Sequence, residues 1–129
     1  MKSQYAIVAA AIVSLVGSTA DAGLKNIDSD YYVDVVASGS DPNANGSFGS
    51  ALRSPDNVQY IGCGLTGTSV SCYAKNAAGA QLSCTSTAAN IVAAVKSLDS
   101  ASFLAFTTDS TKTTCVNLVV DTYSFESPK

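Results

Sequence analysis

Cys63, Cys72, Cys84 and Cys115 are the only cysteines of a 129-residue chain, and its N-terminus reads as an export signal. No other feature limits the fold as strongly. Met1–Ala22 has the three parts of a signal peptide. Lys2 gives the positive start, Ala6–Gly17 is an unbroken apolar run, and Ala20-Asp21-Ala22 is an A-x-A cleavage site. The run has twelve residues, too few for a bilayer core that needs about 20. The expectation is a protein that is secreted or periplasmic, with no membrane contact once the leader is removed. An even cysteine count in an oxidising compartment reads as two disulfides. A four-cysteine zinc site usually shows paired C-x₂₋₄-C spacing, whereas the gaps here are nine, twelve and thirty-one residues.

Residues 23–129 form one domain's worth of chain. Tyr31–Ala37 alternates, with Tyr31, Val33, Val35 and Ala37 on one side, and predicts a half-buried strand. Ser38–Asn57 is rich in Gly, Ser, Asn and Pro and predicts a long polar loop, with at most a short strand near Phe48–Leu52. Val58–Thr66 and Val70–Lys75 predict strands around Thr66-Gly67-Thr68-Ser69, which sets Cys63 opposite Cys72. Asn76-Ala77-Ala78-Gly79 suits a type I turn with Gly79 left-handed. That turn sets Cys72 level with Cys84 on Gln81–Ser86.

Thr87–Leu98 then changes period. Ile91, Ala94, Val95 and Leu98 make a helical stripe, with Thr87 or Ser86 as the cap. Ser102–Thr107 and Thr114–Phe125 predict a closing hairpin around Asp109–Lys112, with Val116, Leu118 and Val120 facing the core. The predicted class is α+β: a small antiparallel sheet of a three-strand meander, one helix and a C-terminal hairpin, with the helix on one face. All four cysteines then fall near one end of the sheet. Cys63–Cys72 with Cys84–Cys115 is the first choice. Cys72–Cys84 with Cys63–Cys115 is a close alternative, because long closures constrain the unfolded chain more.

From Tyr60 to Lys129 the chain resembles a group of small exported bacterial proteins that carry four cysteines and no assigned activity. The resemblance rests on Tyr60-Ile61-Gly62-Cys63, Cys72-Tyr73-Ala74, Ala77-Ala78-Gly79, Ser83-Cys84, Thr113-Thr114-Cys115, Tyr123-Ser124-Phe125 and Pro128-Lys129. It implies an exported disulfide domain and brings no activity with it. Many relatives in that group carry an aromatic residue before the last turn, where this chain has Thr107-Thr108-Asp109.

Composition removes several kinds of chemistry. The chain has no histidine and a net charge of −3, which excludes His-based nucleophile activation and gives no attraction for nucleic acid. Asp41-Pro42-Asn43-Ala44-Asn45-Gly46 opens like a calcium loop, but its twelfth position is Leu52 rather than Glu. The favoured reading there is a solvated turn, with no metal and no cofactor. Asn45-Gly46-Ser47 is a glycosylation sequon only for a eukaryotic secretory host. Carboxylates alone can run glycoside chemistry when paired. Asp28, Asp30 and Asp34 are the densest group, while Asp99, Asp109, Asp121 and Glu126 stand singly. Tyr31, Tyr32, Tyr60, Tyr73 and Tyr123 offer an aromatic face or, in a slipped register, core packing. The leading expectation is a non-enzymatic exported domain that binds a protein or cell-surface partner. The alternative is a hydrolase inhibitor (lysozyme or protease) that inserts residues 38–57, and behind it stands a carboxylate-based enzyme.

Overall fold

The computed structural model describes residues 32–122. The leader, the lead-in to Tyr31 and the chain beyond Thr122 lie outside the described residues. In chain order the elements are β1 (Asp34–Val36), β2 (Asn43–Ser47), α1 (Phe48–Arg53), β3 (Tyr60–Thr66), β4 (Ser69–Lys75), β5 (Gln81–Ser86), α2 (Ala89–Lys96), β6 (Ser102–Thr108) and β7 (Cys115–Thr122). The class is α+β, as expected, but the strands divide into two antiparallel sheets instead of one. One has the order β3-β4-β5 and the other β1-β2-β6-β7.

The three-strand sheet follows its turn chemistry. Cys63 pairs with Cys72 and Leu65 with Val70 across a two-residue turn whose first member, Gly67, has φ +62°. Positive φ at that position matches the right-handed twist of the flanking strands. At the next turn Gly79 has φ +91°, Asn76 N–H donates to the Ala80 carbonyl (3.0 Å), and the Asn76 side chain accepts from Ala80 N–H (2.9 Å). Both registers are as the sequence predicts, and Cys72 faces Cys84.

The four-strand sheet departs from expectation at residues 38–57. The stretch read as a loop supplies β2, which pairs with β1 on one side and β6 on the other, and then α1. Asn-Ala-Asn-Gly-Ser has poor strand propensity, so its conformation comes from its two neighbours. Gly46 suits the close approach of the chain there. A Cβ on it would lie 3.1 Å from the Val33 Cα, so a larger residue would push back the chain leading into β1. In place of a short strand near Phe48–Leu52 there is the helix α1. Buried Ser47 caps α1, its hydroxyl accepting from Ser50 N–H at 3.2 Å.

Two smaller corrections have local causes. The helix α2 is capped at Ala88 with no side-chain bond, because Ser86 still belongs to β5; the Ser86 hydroxyl accepts only the Ala88 N–H (3.1 Å). In β7 the register shifts between Thr107, opposite Asn117, and Thr108, opposite Cys115. Val116 is the extra residue of that bulge. Cys115 and Leu118 therefore both point inward, while Val116 is 54% exposed.

The core lies between the sheets and under α2. Val35 and Ala44, Leu104 and Phe106, and Val70, Cys72 and Ala74 are buried there. Ile91 and Val95 of the predicted stripe are buried, and Ala94 and Leu98 are partly so. The sheets meet edge to edge at one seam. Thr85 N–H donates to the Thr113 carbonyl at 2.9 Å, and Thr85 and Thr114 make a single parallel bridge. No helix among the described residues is long and apolar enough to cross a membrane.

Candidate functional site

Both predicted first-choice disulfides form. Cys63–Cys72 joins adjacent strands with a Cα separation of 4.0 Å, and Cys84–Cys115 spans the seam at 5.0 Å. Their stability in the cell requires an oxidising compartment. The sulfurs of Cys72, Cys84 and Cys115 lie within 4.8 Å of one another, and all three residues are buried. Each sulfur is already in a disulfide, so the cluster has no thiolate to offer a metal.

The inward face of the three-strand sheet carries Val70, Cys72, Ala74, Leu82 and Cys84. Alternation sends Tyr73 to the other face, away from α2. The register sets Tyr73 between Gly62 and Ser83, and Tyr60 beside Lys75. This outward surface is therefore two tyrosines among glycines and hydroxyls. Tyr60 is 44% and Tyr73 52% exposed. The backbone between them is bare at Gly62 and Gly64, where an added Cβ would meet nothing within 4 Å.

Two depressions meet at Tyr60. A groove of about 290 Å³ runs between Tyr60, Tyr73, Ser83 and Lys112. An open cleft of about 410 Å³ lies between α1 and the start of β3, lined by Phe48, Leu52, Gln59 and Tyr60. Leu52, 77% exposed, stands at its rim. The structure thus brings together Tyr60 and Tyr73 of the predicted aromatic set. Tyr31 and Tyr123 lie outside the described residues, and Tyr32 lines neither depression.

Two carboxylates order the edges of this surface. Asp109 is held down to about 2, first by the Thr113 N–H (2.9 Å) and then by the Thr114 N–H (3.2 Å). It closes the β6–β7 turn that carries Lys112, at φ 58°, to the groove. Asp56 is likewise held at about 2, chiefly by the Gln59 N–H (2.9 Å). The Gln59 side chain donates to Asp56 and accepts the Val33 N–H (2.9 Å), which ties the cleft wall to the four-strand sheet. Both groups act as fixed acceptors. A general acid needs a pKa raised toward neutrality. Of the predicted Asp28, Asp30 and Asp34 group, only Asp34 is described, on the exposed side of β1. Asp99 binds the Ala101 N–H at 2.8 Å.

Neither reading of Asp41–Gly46 survives. Asn43–Gly46 is strand, so side chains two residues apart are separated along an extended backbone and cannot wrap a cation or form a solvated turn. The Asn45-Gly46-Ser47 sequon lies in the same strand, with Ser47 fully buried. No protein-family model, curated protein or solved structure matches the chain.

Sequence reasoning missed Leu52, Phe48 and Lys112. Ser47 as a cap and Pro55 just past the helix end are stop and start signals that mark α1. Nothing local marks Lys112 as sharing a groove with Tyr73, because that groove is lined from both sheets.

Proposed function

We propose that this chain is an exported, non-enzymatic binding domain whose partner is a protein that docks on Tyr60. The observation that carries the reading is the meeting of groove and cleft at that one side chain. Tyrosine supplies large amphipathic contact area at low entropic cost and is enriched among residues that dominate interfaces. Leu52 and Phe48 give an apolar anchor on one side. Lys75 and Lys112 give positive charge on the other, which suits a partner with a carboxylate beside an apolar side chain. The tight hydrogen bonding of Asp56 and Asp109 supports a scaffold role over acid–base catalysis. Burial of Ala44, Ser47 and Ser50 leaves less of residues 38–57 free to insert into a cleft, which supports docking on Tyr60 over loop insertion.

The test is affinity capture from the native secretome with the mature protein and a Tyr60→Ala/Tyr73→Ala variant. Wild type is expected to retain a specific protein that the variant loses, with affinity reduced about 30-fold or more for a central anchor. Equal capture by both proteins rejects this face. Retention on a polysaccharide matrix in place of protein assigns the face to a cell-surface glycan instead.

A further inference from the structure

We propose that the two disulfides are a single exchange-coupled unit, in which a small-molecule thiol that enters at Cys63 opens the Cys84–Cys115 bond through Cys72. Three observations carry this. Cys84 and Cys115 are each 3% exposed, so solvent thiols have little access to the bond that spans the seam. Cys63 is only partly buried, at the outer strand of its sheet. Its partner Cys72 is fully buried, with its sulfur within 4.8 Å of both sulfurs of the other disulfide. One bond therefore has a partly exposed half, and its buried half lies against the bond that has none.

The steps balance as thiol–disulfide exchange. An external thiolate attacks the Cys63 sulfur, forms a mixed disulfide with it and releases the Cys72 thiolate. That thiolate attacks the Cys84 sulfur, forming Cys72–Cys84 and releasing the Cys115 thiolate, which takes a proton from water. A second external thiol attacks the external sulfur of the mixed disulfide, so Cys63 leaves as a thiol. Overall two small-molecule thiols become one small-molecule disulfide, and the protein keeps one disulfide and gains two thiols. Cys72 and Cys84 are direct cross-strand partners, a position whose usual Cα spacing of about 4.5–5.5 Å lies within the span of a disulfide. The new bond lies inside the three-strand sheet. The seam between the sheets loses its covalent tie and keeps the Thr85–Thr113 backbone bond.

The experiment is limited reduction of the intact mature protein with glutathione, trapping with iodoacetamide and mapping of the bonds by mass spectrometry. The expected intermediate carries label on Cys115 and either label or glutathione on Cys63, with Cys72 bonded to Cys84. Label confined to Cys63 and Cys72, with Cys84–Cys115 intact throughout, overturns the proposal. A second arm uses Cys63→Ser, which leaves Cys72 as a thiol beside the second bond. A mixture of Cys84–Cys115 and Cys72–Cys84 forms supports the exchange, and Cys84–Cys115 alone refutes it. In Cys63→Ser/Cys72→Ser, reduction of Cys84–Cys115 is expected to slow by about 100-fold, because the internal nucleophile and its high effective concentration are gone. An unchanged rate also refutes it.

Discussion

The two sheets are assembled on different principles. In β3-β4-β5 the neighbours in space are neighbours in sequence, joined by short turns at Gly67 and Asn76–Gly79. In β1-β2-β6-β7 the central pairing sets Asn43 against Thr107 and Ser47 against Phe103, across more than half of the described chain. The first kind of sheet closes small loops and is specified locally. The second must close a large loop before its contacts stabilise anything. The smaller sheet carries the exposed, glycine-bearing face, while the larger one holds the bulkiest fully buried side chains, Phe106 and Leu104.

That contrast can be broken or sharpened by measurement. The largest effect is expected from Phe106→Ala, a loss of about 3–5 kcal/mol in chemical denaturation. A cost below about 1 kcal/mol would place the core elsewhere. Next come the disulfides. Removing Cys84–Cys115 with paired serines, a closure of 31 residues, is expected to cost about 4 kcal/mol. Removing Cys63–Cys72, a closure of 9 residues, is expected to cost about 3 kcal/mol. A reversed order would mean that the local sheet, not the seam, limits stability.

One substitution separates the sheets directly. Gly46→Ala forces a methyl group against the Val33 backbone and is expected to cost about 1–3 kcal/mol. Gly62→Ala meets nothing within 4 Å and is expected to stay within about 1 kcal/mol of wild type. The smallest effect is acid sensitivity. The folded pKa values of Asp56 and Asp109 are depressed from 3.8 to about 2. Their contribution is therefore complete above pH 3.8 and is lost as pH falls toward 2. Denaturant midpoints measured across that range are expected to fall with pH, and less steeply in Asp56→Asn and Asp109→Asn.

The same contrast explains what the amino-acid pattern revealed. Turn residues, alternation and the helical stripe of Ile91 and Val95 all act over a few residues, so the meander, its register, α2 and the disulfide pairing were readable. Strand β2 was not, because Asn43–Ser47 has a turn-like composition and becomes strand only between β1 and β6. Val116 was read as buried because alternation holds only until a bulge interrupts it. Of the candidate site, alternation along β4 suffices to set Tyr73 on the face opposite Cys72 and Ala74. Its companions Leu52 and Lys112 come from segments whose positions depend on contacts remote in sequence.

The confinement of Asn45, paired with Asp34 on one side and Ala105 on the other, with Gly46 paired to Leu104, has a chemical consequence. Loss of ammonia from such a dipeptide needs the glycine nitrogen to swing onto the asparagine side-chain carbonyl, a motion that an extended, paired backbone opposes. Isoaspartate at position 45 would accordingly accumulate only while this strand is open. Its level in aged protein would record how long the molecule had spent unfolded.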